Sequence, residues 1–164
     1  MPKILNIVDI MKRILLSLAM LIMTIAAVAQ SADKLYEEGK LLYDEKKYEQ
    51  AFPLLKKAAE KGHKKAQYRI GRCYDKGHGT EEDNKAAFTW YEKAAKQEHA
   101  KSQYQLARYY LKGKGGIAVD KGKAAKLLKK AVKGGKSGKQ IEEDLKADAA
   151  KGDEEAQQLL ELLK

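Results

Sequence analysis

The sequence predicts an all-α protein: a right-handed α-α superhelix, or solenoid, of about three helix-turn-helix repeats closed by a C-terminal capping helix. Three observations predict it. The line "AQYRIGRCYDKGHG" at Ala66–Gly79 returns 36 residues later as "SQYQLARYYLKGKG" at Ser102–Gly115, and self-similarity at such a period marks stacked repeats. Within each line apolar and small residues recur at helical spacing, as Tyr68, Gly71 and Tyr74 and again as Tyr104, Ala107 and Tyr110. The composition is 34% charged and 7% aromatic with two prolines, a mix that favours helix over strand.

The elements follow in chain order. "MKR" at Met11–Arg13 precedes the apolar run "ILLSLAMLIMTIAAV" and then "AVAQ" at Ala27–Gln30, the three parts of a secretory signal peptide. Residues 1–29 are therefore expected to be a cleaved leader, with Ala27 and Ala29 at the cleavage positions and Met11 as an alternative start. The run is shorter than the roughly 20 residues of a membrane span, and no cysteine follows it for lipid attachment. The first repeat unit, 30–63, contains Gly39 and Tyr43 in one helix and Ala51, Leu55 and Ala58 in the next, without a glycine turn between them. Pro53 fits only early in that second helix, where a missing N–H costs little.

In the second unit, 64–99, Gly77 and Gly79 stop the first helix, because glycine enters the left-handed conformation without steric cost. Asp83, or Glu82 before it, supplies acidic character where the next helix begins. The third unit, 100–135, repeats this with Gly113, Gly115 and Asp120, plus one extra residue near Gly116 that loosens its turn. Large residues sit between helices and are expected to be core: Tyr74, Phe88, Trp90, Tyr91, Tyr110, Leu127 and Leu128. "KGGKSGK" at Lys133–Lys139 reads as a flexible turn that breaks the array. Ile141, Leu145 and Ala149 mark a further helix, and Gly152, Ala156 and Gln157 echo Gly62, Ala66 and Gln67, so residues 136–164 form the cap.

Charge and cysteine usage narrow the function. Formal net charge is +10, of which the leader's Lys3, Lys12, Arg13 and Asp9 carry +2, leaving +8. Export removes nucleic acid as a natural counterpart and favours acidic proteins, anionic envelope polymers or lipid headgroups. Cys73 is the only cysteine; beside apolar neighbours it reads as a small buried side chain and not a reactive thiol. His63, His78 and His99 fall one per loop, without metal-ligand spacing, and read as solvated. No metal, no cofactor and no catalytic residue is expected.

The two full units resemble Sel-one-like repeats (SLR), a branch of the tetratricopeptide class. Gln67, Ile70, Gly71, Tyr74, Gly77, Gly79, Asp83, Ala87, Trp90, Lys93, Ala94 and Ala95 carry the pattern. The second copy departs at Ala107, Leu127 and Gly116, and the first unit has ordinary tetratricopeptide spacing. The resemblance implies a non-catalytic scaffold, a monomer, whose concave face is lined by the first helix of each pair. It also implies that Tyr36, Tyr68 and Tyr104, three residues before the small residue, face that groove beside Lys40, Arg72 and Arg108. Asp75 is the one acid expected there. Such a groove suits an acidic protein or peptide, since Arg takes a carboxylate bidentately and Tyr adds contact area at low entropic cost. The alternative is binding of anionic polymer or lipid headgroups by the basic surface. Some secreted relatives are associated with β-lactam hydrolysis, but the paired cysteines that mark them are absent.

Overall fold

A computed structural model describes residues 7–164; residues 1–6, and the side chains of 23–30 with the expected cleavage residues Ala27, Ala29 and Gln30, lie outside it. Among the described residues eight α-helices follow one another: α1 (Ile7–Asp44), α2 (Tyr48–Glu60), α3 (Lys64–Lys76), α4 (Asn84–Lys96), α5 (Ala100–Lys112), α6 (Lys121–Val132), α7 (Gly135–Ala150) and α8 (Glu154–Glu161). No strand occurs among the described residues. Each helix packs on its chain neighbours, as an all-α solenoid of helix-turn-helix units requires, and α7 also touches α5. The pairs are α1 with α2, α3 with α4 and α5 with α6, and α7 with α8 closes the array. Among the described residues no helix is long and apolar enough to cross a membrane.

Alanine forms the seams. Ala51, Ala58, Ala66, Ala87, Ala94, Ala107, Ala124 and Ala131 are all completely buried, which lets helix backbones approach closely while each pair remains thin. The apolar surface lies in three clusters, centred on α1–α3, α4–α5 and α5–α8, so every pair contributes to a core that it does not complete alone. Of the expected core residues Tyr91 and Leu128 are fully buried, while Tyr74, Phe88, Trp90, Tyr110 and Leu127 are half-buried at the seams between pairs.

The glycine turns form as read: Gly77 and Gly113 end α3 and α5 in the left-handed conformation, at φ 64° and φ 66°. Asp83 then caps α4, its Oδ1 accepting from the backbone N–H groups of Lys85 (2.9 Å) and Ala86 (3.0 Å), and Asp120 caps α6 through Lys123 (2.8 Å). The extra residue of the third unit is taken up by a short 3-10 turn at Lys114–Gly116. In the first unit Lys46 takes the left-handed position at φ 62°.

Two expectations are corrected. Lys133–Lys139 is not a flexible turn, because α7 begins at Gly135. Gly138 stands 36 residues after Ser102 and 72 after Ala66, and all three are buried inside a helix; a Cβ on Gly138 would collide with the carbonyl oxygens of Val132 and Ala131. Its glycine therefore serves close packing and not flexibility. Pro53 is the sixth residue of α2, beyond the first turn. Its ring points to solvent, where the carbonyl deprived of a partner is open to water.

Gly71 shows how tightly a pair closes. A Cβ there would lie 2.5 Å from the Tyr91 ring. In the third pair the equivalent residues are Ala107 and Leu128, a larger residue facing a smaller one. Gly71→Ala is expected to lower stability by about 1–3 kcal/mol, and Tyr91→Leu added to it should cost less than the two single changes summed. A urea-unfolding double-mutant cycle reads that coupling; strict additivity would contradict the contact.

Candidate partner-binding face

The six expected face residues lie on the first helices α1, α3 and α5, and glutamines on α3, α5 and α8 tie each helix to the one before it. Gln67 Nε2 donates to the carbonyl of Ala59 (3.2 Å), Gln103 to Ala95 (3.5 Å) and Gln157 to Ala149 (3.2 Å). In each case a side chain on the next helix adds a second hydrogen bond to a carbonyl at the end of the previous one, which already accepts from the backbone of its own turn. Gln97 bridges Gly62 and Gln67 at 3.0 and 2.8 Å. The recurrence at Gln157 gives α8 the same hydrogen bond to the helix before it that α3 and α5 make.

The histidines belong to this framework and are half-buried, not freely solvated. His63 Nδ1 accepts from the Ala66 N–H at 3.1 Å, and its ring stacks on Tyr36 at 4.3 Å. His78 stacks on Tyr48 at 4.0 Å and meets the Tyr43 hydroxyl at 3.0 Å. His99 Nδ1 lies 3.0 Å from Ser102 Oγ, with the Tyr68 ring 5.0 Å away. Burial pushes the His63 and His78 rings below the ordinary histidine value and takes His99 down to about 4, where Lys64 and Lys101 add to the effect.

The six expected face residues fall into different environments. Tyr36 is buried against His63 and contributes packing more than surface. Tyr68 and Tyr104 are half-buried, and burial raises both phenols. Lys40 pairs with Asp44 at 3.4 Å; the same carboxylate accepts from Arg69 at 3.0 Å, and that guanidinium lies over the Tyr43 ring. Arg108 is held by Glu155 of α8 through Nε (2.5 Å) and a terminal guanidinium nitrogen (3.2 Å), with Lys112 on the same carboxylate. Burial alone would raise the Glu155 carboxyl, but Arg108 and Lys112 hold it below the usual range. Arg72 lies near the Tyr68 phenol, which adds to raising its guanidinium above the ordinary value, and has no carboxylate partner among the described residues.

Asp75 does not lie open on this face. It is buried, accepts from the Tyr109 hydroxyl at 2.7 Å and pairs with Lys114 at 2.5 Å. Burial would raise its carboxyl, yet Lys114 and Tyr109 hold it low. The cluster ties α3 to the turn after α5. Cys73 is completely buried, and burial pushes its thiol up to about 12, which leaves it unreactive at neutral pH. Among the described residues no group of three or more His, Cys, Asp or Glu could hold a metal.

The family model described as "Sel1 repeat" matches three consecutive segments, 25–63, 64–99 and 100–136. The chain belongs to the Sel1 repeat family. A Sel1 repeat protein from Oxalobacter formigenes superposes with a TM-score of 0.57 at 41% identity, over 60% of this chain and 40% of that one. The protein c5321, a protective antigen present in uropathogenic Escherichia coli strains and displaying an SLR fold, gives a TM-score of 0.62 at 31% identity, over 74% of this chain and 27% of that one. The chain thus spans less than half the length of these solved Sel1 and SLR proteins. A search of curated proteins returned no match. The fold is a Sel1 and tetratricopeptide-like repeat scaffold of the kind that binds proteins and peptides.

The histidines give this scaffold a pH dependence. All three are held neutral below their ordinary value, so the unfolded chain binds more protons as pH falls. Their contribution is intact above about pH 6.5 and is lost progressively toward the value of about 4 at His99. Thermal unfolding is expected to show Tm falling through that window, with a shallower slope in His99→Gln. Identical slopes in the two proteins would exclude His99 as a source.

Proposed function

We propose that the chain is an exported, non-catalytic scaffold that holds an acidic protein or peptide on the face formed by its first helices. Tyr36, Lys40, Tyr68, Arg72, Tyr104 and Arg108 define that face, and Arg72 is its open centre. One observation carries the reading: Lys40 and Arg108 have carboxylates beside them, whereas Arg72, at the same register position between them, has none among the described residues. Glu155 on Arg108 illustrates the ligand chemistry that suits the position, a carboxylate taken by two guanidinium nitrogens. The working unit is a monomer, and nucleic acid is not its partner.

Export rests on the basic-then-apolar N-terminal pattern. The side chains described between Ile7 and Ile22 are exposed, and the first buried one described is Ala32. Cleavage after Ala29 would therefore remove none of the described core. Mass spectrometry of the chain recovered from the cell envelope or medium is expected to find Gln30 at the N-terminus; a retained Met11 or Met1 would overturn the leader assignment.

A glutamate-rich peptide titrated by calorimetry tests the face. Arg72→Glu is expected to weaken binding by about tenfold or more, the scale of a hydrogen bond to a charged group. Unchanged affinity would remove Arg72 from the site. The net charge of +8 outside the leader also favours a polymer or headgroup reading. Salt separates the two: purely electrostatic binding fades steeply with ionic strength, while a packed peptide face retains part of its affinity.

A further inference from the structure

Trp90 and Leu127 occupy the same place in consecutive repeats, and they leave different surfaces. Trp90 packs against the core shared by α1, α2 and α3, with Lys93 Nζ 4.0 Å from its ring centroid. That core includes Ile70, and the α3 residues around it recur one repeat later: Gln67, Ile70 and Tyr74 on α3 become Gln103, Leu106 and Tyr110 on α5. The edge-on contact of Phe52 with Tyr74 (5.5 Å) recurs as Phe88 with Tyr110 (5.6 Å). The cover does not recur. Leu127 is smaller than an indole, and beside it a groove of about 330 Å³ opens between α4 and α6, with Leu106 and Tyr110 in its lining.

We propose that this groove takes an aromatic side chain from an acidic segment of a partner protein, the ring occupying the seat that Trp90 fills in the preceding repeat. Two features specify the occupant. Lys130 stands where Lys93 stands relative to Trp90 and lines the groove, so an incoming ring has an ammonium beside its face. Lys96, Lys123 and Lys126 join Lys130 around the groove against the single acid Glu92, a charge balance that selects carboxylates next to the ring. A chain and not a free small molecule fits the shape, because the groove continues past Ala95 and Gln103 into a second opening of about 570 Å³ that ends at Lys133 and Gly134. This site lies between second helices, apart from Arg72, and does not depend on the first-helix face.

The test titrates the full-length chain by calorimetry with the acetylated, amidated pentapeptide Glu-Glu-Trp-Glu-Glu. The same peptide with alanine in place of tryptophan, and one with glutamine in place of every glutamate, serve as comparisons. The acidic tryptophan peptide is expected to bind, and both comparisons to bind about tenfold or more weakly, as loss of an anchor residue or of its charged neighbours implies. Leu127→Trp, which restores the pattern of the second repeat, should abolish binding while leaving Tm unchanged or raised. Lys130→Glu should weaken it independently, and decides the matter if Leu127→Trp does not fold. Arg72→Glu, whatever it does to binding of glutamates at the first-helix face, should leave the preference for the tryptophan peptide over the alanine peptide unchanged. No binding by any peptide, equal binding by the alanine peptide, full binding by a folded Leu127→Trp protein or by Lys130→Glu where that variant decides, or loss of the tryptophan-over-alanine preference in Arg72→Glu would each overturn the proposal.

Discussion

Close approach of paired helices over alanine and glycine is the constraint on which the rest of the chain depends. A seam of Ala51, Ala58, Ala87, Ala94, Ala124 and Ala131 brings backbones together but removes little apolar area per residue. A single pair therefore cannot offset the entropy of ordering itself, and the bulky residues must be shared between pairs. Trp90 of α4 rests on the α1–α3 core, and Leu127 of α6 touches both clusters around α5. With one cysteine and no disulfide to supplement this packing, stacking is the means by which the chain becomes stable.

Stacking thin layers also places many helix ends at interior junctions, and these ends need partners. Side chains at the helix starts themselves and on the following helix supply them. His63, Asp83, Asp120 and Asp153 take N–H groups at helix starts, while Gln67, Gln103 and Gln157 take carbonyls at helix ends. Polar residues that look like candidate chemistry are thus consumed by architecture. The buried Asp75–Lys114–Tyr109 group belongs to the same class: it joins two repeats through a charge pair whose members satisfy one another.

This division explains what could be read without coordinates. Period, helix spacing, glycine turns and the Asp83 cap are local properties, and residues within a few positions of each other announce them. The histidines could not be read in that way, because the Tyr36–His63 and Tyr43–His78 contacts join residues of different helices. Gly138 was misleading because three glycines in seven residues have the composition of a linker; only its 36-residue register with Ser102 reveals a packing role. Of the six face residues, position was legible and availability was not. Nothing near Arg108 in sequence indicates that Glu155 lies against it, and nothing near Arg72 indicates that no acid does.

Repeat copies also supply their own controls. Where copies agree, as at Gln67 and Gln103 or Ala87 and Ala124, the residue serves stacking and carries no information about a partner. Where they differ without breaking the stack, stacking does not dictate the choice. Glu155 occupies the register held by Lys65 and Lys101, Leu127 that of Trp90, and Gly135 that of His63 and His99. All three departures fall in the third repeat and the cap. The Glu155 departure is accounted for by its pairing with Arg108, which ties α8 to α5. The Leu127 departure has no such account: a tryptophan there would bury more surface and complete the seam. Leucine at 127 leaves apolar area in water beneath a ring of lysines, a cost to the isolated chain that a bound aromatic side chain would offset.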